Sequence, residues 1–176
     1  MQADNGPPSS DAAARFDAYV TERGGELWRS AWLLTGDVHH AEDLVQAALL
    51  RTYGRFAAFD SERHFEAYVR TTLFRTFVSW RRRRHWRSEM PSALEPDTVA
   101  DVGDDPPMQA SDLRRALFSL PRSQRAVLVL RYFEDMTVIE VGELLQMPTS
   151  TVKSHARRGL VALRRSPHLL EQDMHS

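Results

Sequence analysis

Cysteine is missing from all 176 residues, which removes disulfides, thiolate metal sites and cysteine nucleophiles together and fits a reducing compartment. No zinc ribbon can form. No run of about 18 apolar residues occurs, and the stretch from Met1 to Ser10 is polar, without the hydrophobic region of a signal peptide. A cytoplasmic location without membrane insertion is therefore expected. Lysine is nearly absent too. Lys153 stands alone and every other cation is arginine, a bias that a GC-rich genome explains as well as bidentate phosphate contacts do. Nucleophile elbows, glycine-rich phosphate loops and carboxylate pairs in a recognisable setting are also missing. His39 and His40 stand beside Glu42, but adjacent histidines on a helix point in different directions and no second ligand cluster follows. A polar helix start is the better reading of that pair, so no metal, cofactor, small-molecule substrate or catalysis is expected.

What is present is globular. Hydrophobic residues make up 42% and charged ones 27%, enough to bury a core in one average domain or two small ones. The formal net charge of -1 excludes coating of nucleic acid by bulk charge, but the distribution is uneven. From Ala67 to Arg87 the charged residues are Arg70, Arg75, Arg81, Arg82, Arg83, Arg84 and Arg87; from Ser88 to Asp112 they are all acidic. Residues 88–110 also carry Pro91, Pro96, Pro106 and Pro107 and few large apolar side chains, the composition of an extended or disordered connector. Fully stretched, such a segment spans up to roughly 80 Å, and as a flexible coil about 25 to 30 Å. The expected organisation is a disordered start at 1–11, a domain at 12–87, the acidic connector at 88–110, a second domain at 111–166 and a loose tail at 167–176.

No segment sustains a period of two, so a sheet is not expected. Ala12 to Leu34 reads as a helix that Gly24-Gly25 kinks or splits. Asp37 caps a second, with Ala41, Leu44, Val45, Ala48, Leu49 and Thr52 on one face. Its polar side carries Glu42, Asp43 and Gln46 beside Leu49 and Leu50, a mixture suited equally to solvent or to another protein's helices. Asp60 or Ser61 opens a third, striped by Phe65, Tyr68, Val69, Thr72, Leu73, Thr76, Phe77 and Trp80. Its end joins arginines to Trp80, His85 and Trp86, a combination in which guanidinium groups follow a backbone while rings accept unstacked bases. The plainer alternative is that Trp80 completes the core stripe and the arginines solubilise a helix end favoured by its dipole.

After the connector, Leu113, Ala116, Leu117 and Leu120 make a short helix, and Pro121 seats the first turn of another with Val127, Leu128, Leu130 and Phe133. Thr137 and Glu140 form a capping box, and Pro148 with Thr149 and Ser150 ends that helix and starts the next. Val152, Ala156, Leu160 and Leu163 would pack inward, leaving Lys153, Ser154, Arg157 and Arg158 outside. From Gln146 to Arg165 every charge is positive, which a merely solvated face seldom shows. Two short helices around a tight turn, the second with a basic outer face, suit the major groove of DNA. The expected fold is all-α, two small helical domains joined by a flexible acidic linker.

Two segments carry a family resemblance. Ala41-Glu42-Asp43-Leu44-Val45-Gln46-Ala47-Ala48-Leu49-Leu50-Arg51-Thr52-Tyr53 resembles the core-binding helix in region 2 of extracytoplasmic-function (ECF) sigma factors of the sigma-70 family. Leu120-Pro121-Arg122-Ser123-Gln124-Arg125-Ala126-Val127-Leu128-Val129-Leu130-Arg131 resembles the start of their region 4. Both occur in order, with a short linker where housekeeping members have a middle domain, and the likeness runs from about Phe16 to Arg165. Ala67-Tyr68-Val69-Arg70 and Ser79-Trp80-Arg81-Arg82 are most similar to the SigE-like subgroup.

The resemblance implies that Asp43, Leu44 and Gln46 meet the clamp helices of the largest subunit of core RNA polymerase, and that the second domain meets the flap region of the second-largest subunit. It implies that Arg70, Arg75, Trp80, Arg81, Arg82, Arg83, Arg84 and Trp86, with the loop near Arg55 to Arg63, read and open the -10 element, one base being flipped out. Thr151, Lys153, Ser154, Arg157 and Arg158 would read the -35 element, and the linker would run toward the RNA exit path. An anti-sigma factor is a further possible partner, and the place of work would be a bacterial nucleoid. Many members carry Asn where Arg75 stands and an acidic residue near Ser79, so individual strand contacts there do not transfer. The competing reading is a stand-alone helix-turn-helix regulator resembling the LuxR family, through Thr151-Val152-Lys153-Ser154-His155, which would need a receiver or ligand domain, usually α/β, in front.

Overall fold

The computed structural model describes residues 10–87 and 108–170. The expected connector up to residue 107 and the tail beyond 170 lie outside them, as does the start of the chain up to residue 9. The described residues form two compact units. The first holds α1 (Ser10–Thr35), α2 (Val38–Tyr53), a 3₁₀ turn (Phe56–Ala58) and α3 (Glu62–Arg87). The second holds α4 (Met108–Phe118), α5 (Arg122–Leu128), α6 (Val138–Leu145), α7 (Thr149–Arg164) and α8 (Pro167–Leu170). Among the described residues there is no strand, in keeping with the expected all-α class, and no helix is long and apolar enough to cross a membrane.

Gly24-Gly25 does not break α1, contrary to the sequence expectation. Ala12, Phe16 and Tyr19 before the pair, and Leu27, Ser30, Ala31 and Leu34 after it, are all buried, and they continue one helical stripe. The glycines lie off that stripe, and an apolar face buried on both sides of them outweighs a propensity cost of about 1 kcal/mol each. The core of this unit is an aromatic cluster in which Phe56 meets Phe65 edge-on at 4.7 Å and Phe16 at 5.6 Å. Tyr19 packs against Phe65 at 5.0 Å, and burial, aided by Glu66, pushes its phenol up to about 12.

Asp37 caps α2 as expected, accepting the His40 N–H at 2.8 Å. Ser61 caps α3: its hydroxyl accepts the His64 N–H and its carbonyl the Phe65 N–H. The buried stripe of α3 is wider than its periodicity suggests. Phe74 and Val78 join Phe65, Val69, Leu73 and Thr76 inside, whereas Phe77 and Trp80 stay half-buried.

In the second unit, α4 begins at Met108, inside the segment assigned to the connector, and it turns Ala116 inward while Leu113 remains 45% exposed; Leu120, in the turn that follows, is also buried. Pro121 stands just outside α5, its carbonyl accepting the Arg125 N–H. Beyond Leu128 the helix widens into a π turn over Val129–Phe133, closed by Glu134 N–H on the Val129 carbonyl. That wider turn keeps Leu130 buried but leaves Phe133 at 46% exposure.

The capping box of α6 is present in both directions. Gln146 then enters the left-handed region at φ 53°, and the chain turns tightly enough that a Cβ on Gly142 would lie 2.9 Å from the Met147 carbonyl. Pro148, rather than Thr149 or Ser150, caps α7, its carbonyl accepting from Thr151 and Val152. Val152 is fully buried and Gly159 packs on Leu128, whereas Ala156, Leu160 and Leu163 are half-buried. Ser166 to Leu170 is not a loose tail. Ser166 is buried and α8 packs against α4, giving the second unit a fifth helix.

Candidate nucleic-acid and polymerase interfaces

Each unit turns a distinctive surface outward. On α2, Glu42, Asp43, Gln46 and Leu50 form one exposed stripe, because they recur at three- and four-residue steps. Leu50 is 79% exposed, an apolar group bordered by carboxylates and an amide, which is what a partner's helix would cover. Leu44, grouped with Asp43 and Gln46 from the sequence, is fully buried. It supports the helix from within and offers a partner nothing.

On α3 the arginines separate into different roles. Arg75, Arg82 and Arg83 are exposed. Arg81 is half-buried, and that burial pulls its guanidinium below the usual range. Arg70 is engaged inside the unit, with Nη2 3.2 Å from Glu26 and Nε 3.2 Å from Glu66, and so ties α3 to α1. It is removed from the outward set for that reason. Trp80 is half-buried, so it serves the core edge while keeping part of its ring outside. Arg84 and Trp86 lie outside the described side chains.

Two contacts near this face have no signal in the periodicity. The Arg55 guanidinium lies 5.9 Å over the Tyr68 ring, holding the turn before α3 against that helix. Arg51, from the last turn of α2, donates from Nη1 to Thr76 Oγ1 at 2.7 Å. Both join residues distant in the chain, and only a partner at the right depth could have revealed them. His40 is accounted for by its 3.0 Å approach to Asp37, whose carboxyl is held below the usual range chiefly by the His40 backbone N–H. Among the described residues no group of three or more potential ligands could hold a metal ion.

On α7, Lys153, Arg157 and Arg158 are exposed, with Thr151 and Ser154 half-buried beside them. The basic surface continues beyond the expected readers. Ser154, Arg157, Arg158, Val161, Ala162 and Arg165 line one shallow groove, and a second flanks it between α7 and the π turn, where Arg131 and Tyr132 stand. Neither groove has an acidic residue in its lining. Guanidinium forks along the exposed face of a helix that follows a tight turn fit phosphates and guanine edges. The regulator alternative needs an α/β domain in front of this module. The described residues there are helical, which sets it aside.

Comparison with known proteins agrees with this division. The family model described as Sigma-70 region 2 matches residues 19–87, and that described as Sigma-70, region 4 matches residues 116–165. The chain is 37% identical over 149 residues to an RNA polymerase sigma-E factor of Streptomyces coelicolor, covering 85% of this chain and 84% of that protein. It is 30% identical over 156 residues to the ECF RNA polymerase sigma factor SigL of Mycobacterium tuberculosis, covering 86% and 88%. The sigma factor RpoE of Bartonella quintana, solved in complex with the anti-sigma factor NepR, matches with a TM-score of 0.56 at 22% identity, over 89% of this chain and 97% of that one, a likeness of fold. The α2 and α7 surfaces thus fall within the two matched regions, and the chain belongs to the sigma-70 family, among its extracytoplasmic-function (ECF) sigma factors.

Proposed function

We propose that this chain directs core RNA polymerase to promoters through one surface on each helical unit, with the bond-making left to the polymerase. The Glu42, Asp43, Gln46 and Leu50 stripe of α2 seats the first unit on the clamp helices of the largest subunit, with Leu44 as its internal support. The outward part of α3, with Arg75, Arg82 and Arg83 and the edge of Trp80, and the turn around Arg55, follows and opens the -10 element. Arg81, Arg84 and Trp86 continue that segment. The second unit lays the start of α7 in the major groove at the -35 element, with Thr151, Lys153, Ser154, Arg157 and Arg158 toward bases and phosphates, and another of its faces meets the flap region. Residues 12–87 and 108–170 are the working domains, and the acidic segment between them runs toward the RNA exit path. An anti-sigma factor covering these surfaces would hold the protein inactive, in the cytoplasm and away from the nucleoid.

The observation that carries this reading is the pairing of an acidic and apolar stripe on α2 with anion-free basic surface on α7 in a chain whose two units match regions 2 and 4. The stripe is the more directly testable half. Replacing Asp43 and Gln46 together with alanine is expected to abolish co-purification with core polymerase while leaving the helical content unchanged. Retained binding by the folded double variant would refute the docking assignment.

A further inference from the structure

Arg51 stands at the edge of the α2 stripe, next to Leu50, but its guanidinium reaches away from that stripe to the third helix. Its Nη1 donates to Thr76 Oγ1 at 2.7 Å, across 25 positions of sequence. Thr76 is 1% exposed, and its own hydroxyl donates at 2.7 Å to the Thr72 carbonyl. The proton of that hydroxyl is therefore used within α3, and the oxygen is left to accept from the cation. The result is a relay of two directional bonds running from the C-terminal turn of α2 into the backbone of α3.

Direction matters here because this bond joins α2 to α3 at a defined angle, alongside the apolar residues that each helix buries. Leu73, Val69 and Val45 are buried and set the facing of their helices coarsely, and the hydrogen bond adds a finer constraint because it weakens steeply when its angle changes. Successive residues on a helix are separated by about 100° of rotation, so holding Thr76 toward α2 fixes where its neighbour Arg75 points. Arg82, seven positions on, lies on the same outer face as Arg75, and both are exposed.

We propose that Arg51 is a positioning residue: its bond to Thr76 fixes the rotation of α3 against the polymerase-docking helix and so aims the outward arginines at the strand being opened. The inference rests on the docking and strand-opening roles assigned above to α2 and α3. Seating of a partner on Leu50 constrains the last turn of α2, and the relay passes that constraint to the helix that meets DNA. Arg51 itself touches neither the proposed strand nor, through its guanidinium, the docking stripe.

The test uses the full chain in holoenzyme, on a promoter recovered by transcription from genomic fragments, presented both as duplex and with the -10 region already mismatched open. Arg51→Ala and Thr76→Val are each expected to slow strand opening on the duplex about tenfold at saturating holoenzyme, the scale of one lost charge-assisted bond. Core affinity and initiation from the pre-opened template should stay within about twofold, a bound well under the loss of a single hydrogen bond. The double variant should be no slower than the slower single one, since both remove the same bond. Thr76→Ser, which keeps the acceptor, should restore the rate. Unchanged opening in both single variants, multiplicative losses in the double, or equal losses on duplex and pre-opened templates together with a lowered unfolding midpoint would overturn the proposal. Failure of the underlying docking role appears separately, as core binding that survives replacement of Asp43 and Gln46.

Discussion

At Asp37 a single carboxylate accepts the His40 N–H at 2.8 Å and lies 3.0 Å from the His40 imidazole, and its pKa is lowered mainly by that backbone bond. A carboxyl whose folded pKa is depressed contributes stability that is present above the unfolded value, near 3.9, and is lost as pH falls through the folded one. Asp37→Ala is therefore expected to cost about 1 kcal/mol at pH 7, with the gap from the parent closing below about pH 4. Urea titration followed by tryptophan fluorescence checks this selectively, because Trp28, Trp32, Trp80 and Trp86 all precede the second unit. A gap that does not narrow at all as pH falls below about 4 would contradict the capping account. Capping residues such as Asp37, Ser61, Thr137 and Glu140 were legible in the sequence because their bonds are local, three residues apart or fewer. The burial of Leu44 was legible as well, from its place on the apolar face of α2, and it conflicts only with the docking role that the resemblance implied. The engagement of Arg70 was not, because whether an arginine near a basic cluster faces outward depends on what other helices bring beside it, here Glu26 of α1.

Among the elements, the positions of α2, α3, α6 and α7 follow from apolar periodicity and caps, so each was visible before any coordinates. The continuity of α1 across Gly24-Gly25 and the π turn after α5 were not, since tertiary burial overrides propensity at the first and i→i+5 bonding has no residue signature at the second. The glycines themselves divide by what surrounds them. A Cβ on Gly25 meets nothing within 4 Å, whereas one on Gly142 would lie 2.9 Å from the Met147 carbonyl, a backbone atom in the turn that joins α6 to α7. Gly25→Ala is expected to stabilise the first unit by about 0.5 to 1 kcal/mol, and Gly142→Ala to destabilise the second by about 1 to 3 kcal/mol. Thermal unfolding by circular dichroism, with tryptophan fluorescence to identify the first unit's transition, measures both shifts. Stabilisation by Gly142→Ala would mean that the turn is looser than the Met147 contact implies.

For the whole molecule, the near-zero net charge conceals a division of labour. Basic surface is concentrated on α7 and along the outer side of α3, an acidic and apolar stripe sits on α2, and the segment between the units has no cation from Ser88 to Pro107. That division was readable in the order of the residues, as was the family, because the segments matched by the two family models each occupy one continuous stretch. The side-chain selection within each surface was not, since burial decided it. The central claim is that two surfaces on one chain bring polymerase to a promoter and open it. In vitro transcription with purified core enzyme on genomic fragments, with permanganate mapping of unpaired thymines, tests it most directly. The account predicts discrete start sites and upstream strand opening that appear only when the chain is added and that weaken when Arg158 is replaced by alanine, by the equivalent of about 1 to 3 kcal/mol if that residue reads a base. Transcripts and reactivity that are identical with and without the chain would contradict it.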